Sequence, residues 1–259
     1  MKPPVNPLSS YLAIKGSLSE TTFRAFSGWD LSAPVKENFQ RLEETNSVGA
    51  SSAGWLKQFI RVLKQRYDLD GPDRPLIELV QDGWHIDDWR PIQLWHMSRS
   101  DELLHMFLTD WLFDLREQGI VSVTNETVVE KLKVLVKRRI GAVDAWKDNT
   151  YRRVASGLMK MAVEFYLMRG RVHREFAAYR LPEKSFLYLL YALMEREQNT
   201  RKMIESVDWR LFLIKPLDVE EELLRLHQYG KLHFERAGSL QQLTLPCKDP
   251  SDFARSTAT

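Results

Sequence analysis

SAGWLKQFIRVLKQRY, residues 52–67, carries apolar side chains at the spacing of an α-helix. One face collects the apolar residues Trp55, Leu56, Phe59, Ile60 and Leu63. Lys57, Arg61 and Lys64 recur at i, i+4 and i+7 and therefore lie together on another face. The stretch is predicted to be a basic amphipathic helix, and the same periodicity dominates the rest of the chain.

Periodicity and capping residues predict helices along most of the 259 residues. The first two cover 19–26 and 34–45, where Ser19, Ser32 and Pro34 are start signals. Further helices are predicted at 74–82, 87–98, 101–118, 125–139 and 149–169. The one strand-like piece in this half is IVSV at 120–123, and its isolation argues against any sheet. The predicted fold class is all-α.

The C-terminal part has a different order of elements. Helices are predicted at 182–197, 199–207 and 216–230, the last ending at Gly230. KLHFERAGSLQQLTLP (231–246) then alternates apolar and polar residues on both sides of Ala237-Gly238, which is typical of a β-hairpin. Three helices followed by a hairpin is the order of elements in a winged helix-turn-helix.

Breaks in these patterns predict how the chain is divided. We expect a helical globular protein with an N-terminal helix-turn-helix-like unit and a C-terminal winged-helix-like unit carrying a short β-hairpin. GRVHREFAAYRL (170–181) interrupts the helical run and is predicted to separate two subdomains. The predicted parts are a loose N-terminal segment at 1–18, a helical domain with the helix-turn-helix-like unit and basic central helices at 19–170, a winged-helix-like subdomain at 182–246 and a frayed tail at 247–259.

Charge is distributed unevenly along the chain. Residues 131–180 hold thirteen Lys or Arg and four Asp or Glu, a net charge of about +9 (13 − 4), whereas the whole chain has +2. The remainder must therefore be about −7. Such a basic segment is typical of a surface that binds a polyanion, and nucleic acid is the commonest soluble polyanion.

The cations of two regions are the predicted contacts to duplex DNA. In a helix-turn-helix, the second helix presents cationic and polar side chains to the major groove, and residues 19–67 suit that arrangement. Lys and Arg would neutralise phosphates, while Gln58 and Gln65 would reach base edges. The predicted phosphate contacts are Lys57, Arg61, Lys64, Arg66, Lys133, Lys137, Arg138, Arg139, Arg152, Arg153, Arg171 and Arg174.

An ordinary solvated surface is the alternative for both basic regions. The loop at 46–51 is longer than the three or four residues usual in a helix-turn-helix. Basic amphipathic helices are also common on proteins that bind no nucleic acid. The helix at 216–230, which would enter DNA in a winged helix, carries Asp218, Glu220, Glu221 and Glu222. These acids would repel phosphate, so the winged-helix-like unit is predicted to dock a protein.

Catalytic, metal and membrane functions find no support in the sequence. His85, Asp87 and Asp88 lie close together, but no HExxH or paired-histidine spacing occurs, and no phosphate-binding loop, GxGxxG or GxSxG motif is present. We therefore expect no enzyme activity, no metal and no cofactor. The single Cys247, the absence of an apolar signal segment and the lack of a long apolar run predict a cytoplasmic protein without a membrane span.

Four segments resemble one protein family. They are GSLSETTFRAF (16–26), NSVGASSAGWLKQFIRVLKQRYD (46–68), WHMSRSDELLHMFLTDWLFDL (95–115) and SVDWRLFLIKPLDVEEELLRLHQYGKLHFERAG (206–238). Over about residues 12–246 the chain is similar to BrxA, the small non-enzymatic core component of bacteriophage exclusion (BREX) systems. The resemblance implies an all-α protein with helix-turn-helix elements that binds DNA. It also implies partners, namely a DNA methyltransferase, an ATPase and a phosphatase-like component of phage defence.

Two functional hypotheses follow. In the first, the protein is a DNA-binding accessory component of a phage-defence complex that contacts duplex DNA mainly through phosphates. In the second, it is a winged-helix protein-protein adaptor with no direct nucleic-acid role. Salt dependence separates them, because phosphate contacts make the affinity for a duplex fall steeply as the salt concentration rises.

Overall fold

Helices form most of the chain, as the periodicity predicts. The computed structural model describes residues 8–140, 146–238 and 240–257. The helices of the N-terminal half are α1 (Ser10–Lys15), α2 (Ser19–Ser27), α3 (Val35–Thr45), α4 (Ala53–Arg66), α5 (Pro75–Gln81), α6 (Ile86–Ser100), α7 (Glu102–Met106) and α8 (Phe113–Glu117). A π-helical segment, Phe107–Leu112, joins α7 to α8.

The rest of the chain, after α8, contains the remaining helices and all five strands of the described residues. The helices are α9 (Asn125–Ile140), α10 (Asp148–Glu164), α11 (Glu183–Glu197), α12 (Thr200–Ile204), a 3-10 helix (Val207–Phe212), α13 (Pro216–Gln228) and α14 (Pro250–Ser256). The strands are β1 (Ser122–Val123), β2 (Met168–Arg169), β3 (Arg174–Phe176), β4 (His233–Ala237) and β5 (Leu240–Thr244). The prediction of an all-α protein with a short β-hairpin is confirmed.

The predicted hairpin is formed by β4 and β5, which pair antiparallel with Phe234 opposite Leu243. The expectation that the first half has no sheet is wrong. IVSV contributes β1, which pairs with β3, and β3 also pairs with β2, giving a three-stranded antiparallel sheet in the order β1-β3-β2. The residues GRVHREFAAYRL therefore include one strand of this sheet. The helix predicted at 149–169 ends at Glu164 because Tyr166 adopts a left-handed backbone (φ 62°) ahead of β2.

The chain ends are more ordered than the sequence suggests. Within the segment expected to be loose, α1 is capped by Ser9 and ends at Gly16. Within the expected frayed tail, α14 places Phe253 in stacking contact with Tyr191 of α11, with ring centroids 5.2 Å apart. Residues 1–7, 258 and 259 lie outside the described residues. The division into subdomains stays a prediction.

Buried aromatic side chains hold the helical core together. Trp89 of α6 is fully buried, its indole N–H donates to the Leu76 carbonyl, and Phe23 and Phe26 of α2 contact its ring edge-to-face. Trp209 stacks on Phe186 at the base of α11. These contacts continue from α2 to α11, so the core includes side chains from both the N-terminal and the C-terminal elements.

A buried carboxylate links four elements of the core. Asp208 of the 3-10 helix accepts hydrogen bonds from the Trp95 indole (2.7 Å) and from Arg196 of α11 (2.6 Å), and His105 Nε2 lies 3.5 Å away. Burial alone would raise its pKa. The hydrogen bonds and the positive charge of Arg196 outweigh this effect and hold the pKa of Asp208 at about 2.

Asp208 should therefore make stability dependent on acid pH. Its folded pKa lies below the unfolded value, so its stabilisation is complete above about pH 4 and is lost as the pH falls towards 2, amounting to about 2 kcal/mol at neutral pH. Asp208→Asn should lower the free energy of unfolding at pH 7 and flatten its decline between pH 4 and 2. Urea unfolding at several pH values measures this. An unchanged pH profile would contradict the role of Asp208.

The packing of α1 against α10 requires a glycine at position 157. A Cβ on Gly157 of α10 would lie 2.0 Å from the carbonyl oxygen of Ala13 in α1, closer than atoms can approach. The two backbones therefore touch at this point.

Gly157→Ala should push α1 away from α10 and destabilise the protein by about 1–3 kcal/mol, despite the higher helix propensity of alanine. Gly54→Ala in the first turn of α4 is the matched control, because no atom lies within 4 Å of its new Cβ. It should be neutral or slightly stabilising. Thermal unfolding of both variants measures the difference, and equal midpoints would refute the close contact.

Candidate nucleic-acid interface

The predicted helix-turn-helix-like unit contains an ordered turn between α3 and α4. Asn46 ends α3 in a left-handed conformation and exchanges two hydrogen bonds with the backbone of Ala50, at 2.7 and 3.0 Å. Ser52 then caps α4 by accepting from the Trp55 amide. The loop at 46–52 is longer than in a standard helix-turn-helix, but these contacts give it a defined path.

The predicted cations of α4 divide into exposed and buried residues. Lys57, Arg61 and Lys64 are exposed, as are Gln58 and Gln65. Lys57 lies 3.7 Å from Glu43 of α3, a solvent-exposed pair that contributes little. Arg61 and Lys64 have no carboxylate within 4.0 Å in the described part of the chain, so both charges are available to a ligand.

Arg66, the fourth predicted contact on α4, is a structural residue. It is 1% exposed, and its guanidinium donates to the carbonyl oxygens of Ser17 (2.9 Å), Gly16 (2.8 Å) and Leu12 (3.4 Å). These are carbonyls at the end of α1, where the helix dipole is negative. The prediction that Arg66 contacts DNA is wrong, because a phosphate cannot reach a buried group.

Arg66→Met should remove these charge-assisted hydrogen bonds, leave buried carbonyls unpaired and cost about 2–4 kcal/mol of stability. Lys64→Met is the matched control, since it makes the same kind of change on the exposed face of the same helix. Its effect on stability should stay within about 0.5 kcal/mol. Chemical denaturation measures both. Similar losses for the two variants would show that Arg66 does not hold α1.

Helix α1 supplies a cation and an aromatic ring that the sequence interpretation missed. The Tyr11 ring contacts two cations, since Lys15 Nζ lies 5.3 Å and the Arg61 guanidinium carbon 5.1 Å from its centroid. Such cation–π contacts fix the direction of both cations while leaving them able to bind an anion. Lys15 thereby joins Arg61 of α4 in one cluster.

The predicted cations of α9 lie on its solvent-facing surface, opposite the buried residues Val128, Leu132 and Val136. Lys133 is half-exposed and pairs with Glu130 (3.3 Å) and Asp148 (3.9 Å). Arg139 pairs with Glu102 of α7 at 3.2 Å. Lys137 and Arg138 are exposed, and no carboxylate of the described residues lies within 4.0 Å of either charge.

On α10 and the sheet, three of the four predicted cations remain exposed. Arg152, Arg153 and Arg171 have no carboxylate partner among the residues that the structure describes. Arg174 is 8% exposed and donates to the Asn125 side chain at 2.9 Å, which ties β3 to the start of α9. The prediction that Arg174 contacts DNA is therefore wrong, because its side chain belongs to the interior.

Two groups of surface cations lie on helices that both pack against α1. This helix packs on α4, whose Arg61 shares Tyr11 with Lys15, and on α10, whose Gly157 contacts Ala13. The cations of α4 and those of α10 therefore lie on helices that flank the same short helix. Among the predicted contacts and Lys15, the cations that are exposed or half-exposed and have no carboxylate partner among the described residues are Lys15, Arg61, Lys64, Lys137, Arg138, Arg152, Arg153 and Arg171.

The acids of α13 do not form the negative surface that the sequence suggested. Glu220 receives hydrogen bonds from Arg236 and Gln241 of the hairpin. Glu222 pairs with Arg225 at 2.6 Å, and Asp218 accepts from the Lys215 amide at the start of the helix. Only Glu221 lacks such a partner within the described residues. The predicted repulsion of phosphate by four acids is therefore reduced to that of two carboxylates without a cationic partner, Asp218 and Glu221.

The described residues offer little support for a ligand-binding cleft, a metal site or a membrane-spanning helix. A cleft of about 420 Å³ lies between α6 and residues 177–182, but its Arg90 is already paired with Glu20, Asp87 and the Tyr166 hydroxyl. Among the described residues, no three His, Cys, Asp or Glu side chains are grouped to hold a metal ion. None of the described helices is both long and apolar enough to cross a membrane.

Comparisons with known proteins agree with this architecture. A family model described as BrxA matches residues 12–191, from α1 into α11. A crystal structure of an uncharacterized protein from Magnetospirillum magneticum is similar, with a TM-score of 0.58 and 16% sequence identity. The similarity covers 80% of this chain and 100% of that chain and shows the fold alone. No curated protein matches the chain.

Proposed function

Because the chain belongs to the BrxA family of BREX phage-defence systems, we propose that it is a DNA-binding accessory protein of such a complex. The observation that carries the proposal is the set of exposed or half-exposed cations on α1, α4, α9 and α10 that have no carboxylate partner in the described structure. Cations without neighbouring acids leave a positive field that attracts a polyanion, whereas an adjacent carboxylate cancels much of that field. Lys57, Lys133 and Arg139 have such carboxylates beside them, whereas these cations do not.

Binding would depend chiefly on the phosphate backbone. Each Lys or Arg that neutralises a phosphate releases condensed counterions, and this supplies affinity that is independent of base sequence. Gln58 and Gln65, which lie on the exposed side of α4, are the candidates for contacts to base edges. Two glutamines among many cations support weak sequence preference, so unrelated duplexes should bind within about tenfold of one another.

The proposal assigns the chemistry of phage defence to other components. The protein itself would act without catalysis and without a cofactor, in the cytoplasm, beside a methyltransferase, an ATPase and a phosphatase-like component. The helices α11, α12 and α13 followed by the β4-β5 hairpin have the order of a winged helix. We assign residues 182–246 to a winged-helix-like unit on that basis, separate from the phosphate-binding surface.

Charge removal tests the proposal. Neutralising four cations together, by Lys137→Gln, Arg138→Gln, Arg152→Gln and Arg153→Gln, should weaken duplex binding. The slope of log affinity against log salt should decrease by about 0.9 for each phosphate that the variant no longer neutralises. Electrophoretic shift or fluorescence anisotropy across a salt series measures both quantities. Because all four side chains are exposed, thermal stability should stay within about 1–2 kcal/mol of the wild type.

The matched control removes charge elsewhere. Arg201→Gln with Lys202→Gln neutralises two exposed cations of α12, in the predicted C-terminal unit. This pair should leave both affinity and slope unchanged, and removing only Lys137 and Arg138 gives an equal charge change for comparison. If the two double variants affect binding equally, only net charge matters and the proposed surface is wrong. A folded wild-type protein that binds no duplex at low salt would reject DNA binding altogether.

A further inference from the structure

The outward face of α13 exposes two large apolar side chains, although the sequence of this helix looks acidic. Leu217 is 61% exposed and Leu224 is 45% exposed. They are seven residues apart, so they lie on one line along the helix, with Glu221 between them. The buried residues Val219, Leu223 and Leu226 lie on the opposite side. We refer to Leu217, Glu221 and Leu224 as the α13 ridge.

Intramolecular ion pairs neutralise two other carboxylates of this helix. Glu220 turns towards the hairpin, where Arg236 neutralises it, and Glu222 is neutralised by Arg225. Arg225 also pairs with Glu183 of α11, at 2.7 Å. Because these carboxylates have partners within the protein, the one carboxylate that the ridge offers to a ligand is Glu221.

A loop that follows a contact with the start of α13 also exposes apolar residues. Lys215, at the start of α13, forms a 2.6 Å ion pair with Glu117 at the end of α8. The chain then continues from Glu117 through Gly119 to Ile120 and Val121, which are 42% and 72% exposed. Exposed large apolar side chains that gather in one area are typical of an interaction surface.

The charges of the ridge decide between possible occupants. DNA would place phosphates against two leucines and a free carboxylate, which offers neither attraction nor hydrogen-bond donors. A second copy in a two-fold arrangement would pair Leu217 with Leu224 of the other copy. The symmetry axis would then pass near Glu221 and bring two unpaired carboxylates together, which is unfavourable. A different protein with a cation between two apolar side chains satisfies every group.

We propose that the α13 ridge binds an amphipathic helix of a different protein, whose apolar side chains two turns apart contact Leu217 and Leu224 and whose Lys or Arg pairs with Glu221. Two helices packed along such lines interlock their side chains at a small crossing angle. The apolar contacts supply the affinity, and the ion pair selects the partner and its direction. This interaction is additional to DNA binding and uses a separate surface.

A pair of synthetic helical peptides tests the proposal on the full-length protein. Both peptides are about 18 residues long and have leucines seven residues apart. One carries lysines between the leucines, and the other carries glutamates at the same positions. Fluorescence anisotropy should show the lysine peptide binding at least tenfold more tightly than the glutamate peptide. Glu221→Lys should reverse this preference, and Leu217→Ala with Leu224→Ala should weaken binding of the lysine peptide at least tenfold.

Controls distinguish peptide binding at the ridge from nonspecific hydrophobic binding and from binding at the proposed DNA surface. Val134→Ala removes an equally exposed apolar side chain from α9 and should leave peptide binding unchanged. The leucine double variant should keep the melting temperature, the sedimentation coefficient and the duplex affinity of the wild type.

Several results would overturn the proposal. They are the absence of peptide binding up to about 1 mM, an unchanged preference in the Glu221→Lys variant, and a loss of duplex affinity or of self-association when the two leucines are removed. The last two losses would identify DNA or a second copy as the occupant of the ridge. The peptide measurements do not depend on whether the cations of α9 and α10 bind DNA.

Discussion

The buried guanidinium of Arg66 fixes the helix around which the basic surface is arranged. Helix α1 has six residues and is too short to be stable alone. Arg66 donates to carbonyls at its end, and Gly157 lets its backbone lie directly against α10. The Tyr11 ring of the seated helix then orients Arg61 and Lys15. The buried cation Arg66 therefore holds the helix whose Tyr11 orients the exposed cation Arg61. Both cations belong to α4, on opposite faces of the helix.

The charged side chains of α4, α9 and α10 differ from those of α13 in how many have partners within the protein. On α4, α9 and α10, several cations lack internal partners, so their field extends into solvent. On α13, Glu220 and Glu222 are neutralised by Arg236 and Arg225, and Leu217 and Leu224 are exposed. Net charge along the sequence distinguishes these halves correctly, but it cannot say which charges remain free. The free cations favour polyanion binding on one surface, and the apolar ridge leaves the other suited to a protein.

Periodicity was sufficient to predict the long helices and the hairpin, because each carries several turns or alternations of pattern. It failed where an element is short: β1 and β2 have two residues each and are paired through β3, about fifty residues from β1 in sequence. Two errors at the candidate site had visible signals. Arg66 lies seven residues after Phe59 and therefore on the apolar face of α4. Arg174 lies two residues before Phe176 and therefore on the same face of β3 as this aromatic residue. The pairing of Glu220 with Arg236 had no signal, since it depends on how the hairpin returns to α13.

The contact between Ala13 and Gly157 also orders events during synthesis. About 140 residues separate the two partners, so α1 leaves the ribosome long before the helix that seats it. At 5–20 residues per second, α1 waits for roughly 7–30 s. During this interval Arg66 of α4 is available to hold it. Helix α1 thus reaches its final position only after much of the chain that follows it has been made, and the nascent chain cannot present a complete basic surface until α10 has emerged.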